Sequence, residues 1–285
     1  MAEDGEVEHN PDHIEGYAPG VLIRNKRVRS LGRVLPGASP LYHAVMKWFL
    51  IRRGVARIDY PGADIRIRSN SEEIVHLRLR PLAKEPWTVE WIEENLRDGD
   101  VLYDIGANVG DYALIAAAIG GPATKVVAIE PGYATYASLC ENVQLNDLGD
   151  KVIPLPIVLG EAVRLGSLSY RDTSAGGAMH TMDGSGGAYD QPVLVFPLDE
   201  LPSRFGLPGP TLIKLDVDGA EAAVLAGGAE TLRRPELRSV LIEIEEDRAD
   251  EVLGHVERAG LTLRRRFDER YGEQLPGVWY GIFER

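Results

Sequence analysis

Cysteine and long apolar runs are the two features that this sequence lacks most clearly. A single cysteine among 285 residues excludes an internal disulfide and the cysteine-rich kinds of metal site. No run of about 18 apolar residues is present, so we expect no transmembrane helix and no stable membrane insertion. The first ten residues, MAEDGEVEHN, are acidic and lack the basic-then-apolar order of a signal peptide. We therefore expect a cytoplasmic protein.

Positive charge is also scarce. The chain has 31 Lys and Arg against 44 Asp and Glu, which gives a formal net charge of -13. Because binding to nucleic acid needs a basic surface, this balance argues against nucleic acid as a partner. Hydrophobic residues make up 44% of the chain, which supports a sizeable core in one large domain with an extension.

Three ranges of the chain differ in composition. Residues 1–20 are acidic and contain proline, and we expect them to form a disordered tail. Residues 21–82 are predicted to form a small accessory region, which would cover the active site or make a contact in a homo-oligomer. Within it, alternating apolar residues at 63–68 and 74–79 predict two strands. Residues 83–285 are predicted to form the main domain.

The main domain alternates apolar, strand-like segments with helix-like segments. This alternation predicts an α/β fold with a doubly wound, mostly parallel sheet and helices on both faces. In such sheets, ligands bind at the carboxyl ends of the strands. We expect the strand at 211–216 to lie beside the strand at 101–105, in the middle of the sheet. The predicted strands are 101–105, 125–129, 152–159, 211–216, 239–245, 261–267 and 279–283, and the predicted helices include 134–145, 220–232 and 250–259.

A strand, a tight turn and a helix follow one another around Gly106. Gly106 and Gly110 remove side chains where a ligand could lie against the backbone. Asn108 is a suitable N-cap for the helix, and Asp111 lies in its first turn, where an acid suits the helix dipole. Asn108 also occupies the place of the second glycine in the dinucleotide fingerprint G-x-G-x-x-G, which is therefore absent. Asp104, before the first glycine, is better suited to an ammonium group than to a pyrophosphate.

A second acid ends the next predicted strand, where Glu130 precedes Pro131. An acid at this position accepts hydrogen bonds from the two hydroxyls of a ribose. S-adenosylmethionine combines a ribose with an ammonium group and a carboxylate, and it has no phosphate. The alternative from the residues alone is an ordinary strand–turn–helix unit without a ligand.

Three ordered motifs resemble the FkbM family of S-adenosylmethionine-dependent methyltransferases. They are DIGANVGDY at 104–112, IEP at 129–131 and KLDVDGAE at 214–221, with similar segments at 85–91 and 198–201. The resemblance implies a Rossmann-like sheet of seven strands and a methyl group transferred to a hydroxyl of a sugar, a polyketide or another secondary metabolite. The family commonly has glutamate where this chain has Asp218. The residues that we assign to the cofactor are Glu85, Asp104, Gly106, Asn108, Gly110, Glu130, Pro131 and Asp216.

Lys214 and Asp216 are the first candidates for catalysis. They are two residues apart on one predicted strand, so their side chains point the same way. Such a pair suits the anchoring of a substrate hydroxyl and the removal of its proton, and the alternative is a structural ion pair. His180 is the next candidate base, although a lone loop histidine is more often merely exposed. It lies in a glycine-rich loop at 171–191 that we predict to be a mobile lid.

Asp218 and Glu221 precede an apolar helix with the spacing of a helix cap, and together with Asp216 they also have the oxygen ligands that Mg²⁺ prefers. We assign no metal, because the family resemblance does not require one.

Two other functions stay open at this point: an NAD(P)-linked oxidoreductase, and a protein that binds a nucleoside without turnover. This chain lacks two features expected of such an oxidoreductase: the second glycine of the fingerprint, and a tyrosine followed four residues later by lysine.

Overall fold

The computed structural model describes residues 54–285 apart from 171–172, 178–180, 183–186, 188, 271 and 275, together with Val45, Trp48 and Ile51. The predicted acidic tail and His180 lie outside the described residues. In the described ranges, no helix is both long and apolar enough to cross a bilayer.

The strands are β1 (Val55–Arg57), β2 (Arg66–Arg68), β3 (Val101–Ile105), β4 (Lys125–Ile129), β5 (Val152–Leu155), β6 (Val158–Leu159), β7 (Arg164–Tyr170), β8 (Thr181–Met182), β9 (Tyr189–Phe196), β10 (Leu212–Leu215), β11 (Ser239–Glu245), β12 (Thr262–Phe267), β13 (Glu269–Arg270), β14 (Glu273–Gln274) and β15 (Val278–Glu284). The α-helices are α1 (Pro81–Lys84), α2 (Pro86–Asn95), α3 (Asp111–Ile119), α4 (Tyr133–Leu145), α5 (Leu201–Phe205), α6 (Glu221–Ala226), α7 (Ala229–Arg233) and α8 (Ala249–Arg258). Shorter turns of helix are a π-helix at Ile74–Arg78 and 3₁₀-helices at Leu198–Glu200 and Glu246–Arg248.

A seven-stranded sheet forms the centre, in the order β12-β15-β11-β10-β3-β4-β5. Its neighbours pair in parallel from β11 through to β5, and β15 runs antiparallel to both β11 and β12. The predicted doubly wound, mostly parallel sheet is confirmed. The strand β10 lies beside β3, as expected. The chain therefore leaves β3 toward one edge of the sheet and later returns to β10 on the other side, which makes this the topological switch point.

Alternate residues of each central strand enter two separate hydrophobic cores. Leu102 of β3 belongs to the core that includes residues of α2, α3 and α4, whereas its neighbour Tyr103 belongs to the core that includes residues of α6 and α8. The period-two alternation thus buries both faces of the sheet under helices. This confirms the predicted arrangement of helices.

A second sheet, in the order β6-β9-β7-β8, was not expected. It divides the strand predicted at 152–159, because β5 stays in the main sheet and β6 joins the second one. Pro154 and Pro156 are the reason: proline lacks a backbone donor, so β5 is restricted to the edge of the main sheet. The second sheet has a small core of its own, formed by Val158, Leu168, Tyr170, Val193 and Val195.

The described part of the accessory region packs directly on the main domain. Ile67 and Ile74 are fully buried in the same core as α3. The side chains of Asn142 on α4 and of Asn146, which directly follows α4, accept hydrogen bonds from the backbone of β2, at 2.7 and 2.9 Å.

Two predicted elements are wrong. The segment predicted as a strand at 74–79 is a π-helix at Ile74–Arg78, because the buried positions are Ile74, Val75, Arg78 and Leu79, a helical spacing rather than an alternating one. The helix predicted at 220–232 is broken into α6 and α7 at Gly227. A Cβ on Gly227 would lie 2.0 Å from the carbonyl oxygen of Gly160, so the second sheet packs against the break.

Gly106 allows the two loops at the switch point to touch. Its φ is +81°, and a Cβ at this position would lie 1.7 Å from the carbonyl oxygen of Asp216. The backbone of one loop thus occupies the space of the missing side chain. Only glycine satisfies both the backbone conformation and this contact.

We predict that Gly106→Ala destabilises the fold far more than Gly99→Ala. Both glycines have positive φ, but a Cβ on Gly99 would have no atom within 4 Å. The left-handed conformation alone costs roughly 1–2 kcal/mol, and overpacking against a backbone carbonyl adds roughly 1–3 kcal/mol. Urea unfolding of the two variants measures the difference, and equal losses would contradict the contact with Asp216.

Candidate active site

A cleft opens at the carboxyl ends of β3, β4, β10 and β11. Of the residues predicted to bind a cofactor, five line it: Gly106, Asn108, Glu130, Pro131 and Asp216. The other three, Glu85, Asp104 and Gly110, lie behind its walls, as does the catalytic candidate Lys214. The cleft thus brings together the residues that end three different strands.

The turn after β3 is shaped by left-handed residues rather than by an N-cap side chain. Asn108 has a φ of 50°, and the N-cap of α3 is Gly110 with a φ of 90°. The predicted N-cap role of Asn108 is therefore wrong. Its side-chain amide instead donates a 2.9 Å hydrogen bond to the carbonyl oxygen of Gly177 in the glycine-rich loop.

Glu130 is a buried carboxyl on the wall of the cleft. Its two oxygens accept hydrogen bonds from the backbone N–H groups of Asn108 at 3.0 Å and Gly132 at 2.8 Å. Burial raises the pKa of Glu130 to about 7. A carboxylate has about four acceptor positions, so each oxygen retains capacity for a further donor. The geometry suits a diol, whose two hydroxyls would favour the ionised form.

Lys214 lies between two acids beneath the cleft. Lys214 and Asp104 are register partners on β10 and β3, and the Lys214 Nζ is 3.7 Å from Asp104 Oδ1 and 3.1 Å from Asp216 Oδ2. The ammonium also lies over the ring of Tyr112, 5.3 Å from its centroid. Side-chain exposure is 2% for Lys214 and 18% for Asp216, so only Asp216 extends into the cleft.

The ionisation of this trio follows from its burial. Burial opposes the charge of Lys214, but Asp216 and Asp104 raise its pKa above the usual value. Burial also opposes the charge of Asp216, but Lys214 and Lys84 hold its pKa below the usual range. Burial raises the pKa of Asp104 to about 6. Lys214 and Asp216 are therefore a charged pair at neutral pH, and the Asp216 carboxylate of this pair faces the cleft.

Glu85 is the centre of a second buried network. It is fully buried, with Oε1 2.7 Å from Lys84 Nζ and 3.2 Å from Arg270 Nε. The hydroxyl of Tyr112 donates to its other oxygen at 2.9 Å, and the hydroxyl oxygen of Tyr280 lies 3.2 Å from Oε1. Glu85 itself does not line the cleft, but Lys84 and Arg270 do. It therefore fixes two cations on the wall.

Glu243 is a cleft residue that sequence reasoning missed. It lies in β11, two residues before the strand ends, and Arg270 and Tyr280 both donate hydrogen bonds to its Oε2. Burial and the charge of Asp216 raise the pKa of Glu243 to about 9. The signal was present in the sequence, since Glu243 is an acid near the carboxyl end of an apolar strand.

Glu221 supports the loop between β10 and α6. Its Oε1 accepts hydrogen bonds from the backbone N–H groups of Val217 at 3.1 Å and Gly219 at 3.3 Å. The N-cap of α6 is Ala220, so a cap formed by Asp218 is wrong. Among the described residues, no three His, Cys, Asp or Glu side chains come together as metal ligands.

Part of the glycine-rich loop is attached to its surroundings. The hydroxyl of Ser71 donates to the carbonyl oxygen of Ala175 at 2.6 Å, and the N–H of Gly176 donates to Thr135 Oγ1 at 3.3 Å. A Cβ on Gly176 would lie 2.7 Å from Ile74. These contacts concern residues 174–177, and mobility of the rest of the loop stays a prediction.

A family model described as the methyltransferase FkbM domain matches residues 104–269, more than half of the chain. This chain belongs to the FkbM methyltransferase family. It is accordingly a methyltransferase, which confirms the resemblance drawn from the three motifs.

Two curated relatives and one solved structure are similar to the chain. Hexuronic acid methyltransferase AglP of Haloferax volcanii is 27% identical over 202 residues, which cover 69% of this chain and 79% of that protein. The 31-O-demethyl-FK506 methyltransferase FkbM of Streptomyces tacrolimicus is 28% identical over 187 residues, covering 56% and 70%. Precorrin-6y C5,15-methyltransferase of Geobacter metallireducens superposes with a TM-score of 0.44 at 13% identity, over 70% of this chain and 86% of that chain.

We predict that Glu85→Ala destabilises the protein by roughly 3–5 kcal/mol, because it leaves the buried Lys84 and the partly buried Arg270 without their shared carboxylate. Glu94→Ala on the same helix is the control, since its ion pair with Arg265 is half exposed and is worth at most about 1 kcal/mol. Unfolding free energies from urea titration measure both.

The effect of Glu85 has a defined pH dependence. Burial alone would raise its pKa, but Lys84 and Arg270 keep it below the usual 4.5. A carboxylate whose pKa is lower in the folded state stabilises the fold fully at pH values above its usual pKa of 4.5. This contribution is lost as the pH falls from there through the pKa of the folded state. The gap between wild type and Glu85→Ala should therefore shrink below pH 4.5, and a gap that grows in acid would contradict the assignment.

Proposed function

We propose that the protein is an S-adenosylmethionine-dependent O-methyltransferase that methylates a hydroxyl group of a small molecule, a sugar or a secondary metabolite. The observation that carries the proposal is the position of Glu130. It is a buried carboxyl with spare acceptor capacity, at the end of the strand next to the Gly106 turn and in the same cleft as Asp216.

The cleft has the features that this cofactor requires. Glu130 would accept hydrogen bonds from the ribose hydroxyls, and the apolar residues Ile129, Pro131 and Ile157 provide walls for an adenine. Gly106 lines the cleft next to the place where the methionine portion would lie. The cofactor would bring the reactive sulfonium methyl group, while the protein orients the acceptor and removes its proton.

The relatives support the choice of acceptor class. One is named for a hexuronic acid and the other for 31-O-demethyl-FK506, so a sugar acid and a secondary metabolite are both acted on by similar proteins. A screen of hydroxylated sugars and secondary metabolites, measuring release of S-adenosylhomocysteine, would identify the acceptor of this chain.

Asp216 is the residue that we assign to the acceptor hydroxyl. Its carboxylate extends into the cleft and stays ionised, so it can accept the hydrogen bond and then the proton when the methyl group is transferred. Lys214 lies behind it and acts through it, as a positioning residue. Glu243 is protonated at neutral pH, which makes it a hydrogen-bond donor rather than a base under those conditions.

Calorimetry with S-adenosylmethionine and with NAD separates the proposed function from an oxidoreductase. Turnover with an acceptor separates it from a protein that only binds a nucleoside. His180 is the next base to test if Asp216 is not required.

We predict that Glu130→Ala lowers the affinity for S-adenosylmethionine at least tenfold. Each charge-assisted hydrogen bond to the ribose is worth about 1.5–3 kcal/mol. Titration calorimetry measures the effect, with the exposed Glu161→Ala as control and a melting curve to show that both variants are folded. An unchanged affinity in folded Glu130→Ala would remove the main support for the cofactor.

We predict that Asp216→Asn lowers turnover by about 10²–10⁴-fold while the affinity for the cofactor stays nearly unchanged. If Asp216 accepts the proton, wild-type turnover should be independent of pH near neutrality, because the pKa of Asp216 lies below the usual range. If wild-type turnover instead rises toward pH 9 and this rise is absent in Glu243→Gln, Glu243 is the group that accepts the proton. A destabilised but fully active Asp216→Asn would leave only the structural ion pair.

A further inference from the structure

Arg78 is a buried cation on the wall of the cleft. It is 8% exposed, and within the described part of the chain its guanidinium donates only to the carbonyl oxygen of Gly176, from two nitrogens at 3.4 Å each. Among the described residues, no carboxylate forms an ion pair with it. The two other cations on the wall, Lys84 and Arg270, share Glu85.

A buried charge without a direct ion pair is unfavourable, because more distant carboxyl groups such as those of Asp111 and Glu130 compensate its loss of hydration only in part. Arginine also presents a planar set of donors that matches a carboxylate. The arrangement of Arg78 therefore indicates that a ligand in the cleft supplies the negative charge.

The fold positions Arg78 firmly. It is the last residue of the π-helix. The first residue of this helix, Ile74, and the residue after it, Leu79, are both fully buried. The hydroxyl of Ser71 accepts a 3.1 Å hydrogen bond from the N–H of Ile74 and ties the start of this helix to the glycine-rich loop. Single turns of π-helix are frequent at functional sites, where they aim a side chain that a regular helix would place elsewhere.

Arg78 lies on the side of the cleft that contains the Gly106 turn. Two adjacent carbonyl groups of the glycine-rich loop connect Arg78 to this turn. The carbonyl oxygen of Gly176 accepts a hydrogen bond from Arg78, and that of Gly177 accepts one from Asn108 in the turn. Burial raises the pKa values of Glu130 and of Asp111, which begins α3, and the charge of Arg78 opposes this rise in both. It is therefore close to the residues around the cofactor half of the cleft.

We propose that Arg78 binds the α-carboxylate of the methionine portion of S-adenosylmethionine. This inference rests on the proposed function and adds a cofactor contact from the accessory region, outside the matched family domain. The other source of a carboxylate is an acidic acceptor, such as a sugar acid. The position beside Asn108, Asp111 and Glu130 favours the cofactor.

Titration calorimetry with two ligands tests the proposal. S-adenosylmethionine and its decarboxylated analogue differ only in the carboxylate, so their affinity ratio isolates the contact. We expect the wild type to prefer the complete cofactor at least tenfold, which is 1.4 kcal/mol or more. Arg78→Gln should lose this preference and bind the decarboxylated analogue as the wild type does, and Arg78→Lys should recover part of it.

Arg80→Gln is the matched control, because Arg80 lies in the same segment but does not line the cleft. Its ligand preference should equal that of the wild type. Without ligand, the melting temperature of Arg78→Gln should be unchanged or higher, since an unpaired buried charge is removed. If Arg78→Gln instead has a lower melting temperature and loses affinity for both ligands equally, the contact of Arg78 with Gly176 is structural and the proposal is overturned.

The remaining outcomes are also decisive. A wild type that binds neither ligand overturns the proposed function and this inference with it. A wild type that binds both ligands equally, or an Arg78→Gln variant that retains the preference, overturns the inference alone. If the inference alone is overturned and Arg78→Gln loses turnover only with acidic acceptors, Arg78 would be assigned to the acceptor instead.

Discussion

The backbone contact between Gly106 and Asp216 determines the shape of the candidate site. The sheet places β3 and β10 side by side, but only the absence of a side chain at Gly106 allows the loops beyond them to meet. Because the loops touch, Glu130 and Asp216 line one continuous cleft. The same contact explains why the glycine is required even without a ligand.

Periodicity, strand-end acids and the family resemblance of three motifs together predicted the central sheet and five of the residues that line the cleft. These signals are local: an apolar run, a turn and an acid such as Glu130 occur together in the chain. The role of Asn108 was not predictable in this way, since its side chain bonds to Gly177, which is 69 positions away. Arg78 and Arg270 were missed for the same reason, because their place on the cleft depends on how distant segments pack.

The acids at this end of the sheet have different ionisation because their neighbours differ. Asp216 lies against Lys214 and keeps its charge, whereas burial, together with the nearby charge of Asp216, raises the pKa of Glu243 to about 9. Glu85 stays ionised between two cations. The sequence shows only that acids are present, and their separate chemical characters arise from tertiary packing.

The second sheet has a consequence for how such a protein can change during evolution. Leu168 and Met182 contribute part of the cleft wall from strands that form a sheet of their own with a separate small core. Mutations there alter the shape of the wall while the main sheet and its two cores stay intact. Because Leu168 belongs to the small core of the second sheet, the folding cost of such mutations falls on that core, and ligand preference can change while the central strands are kept.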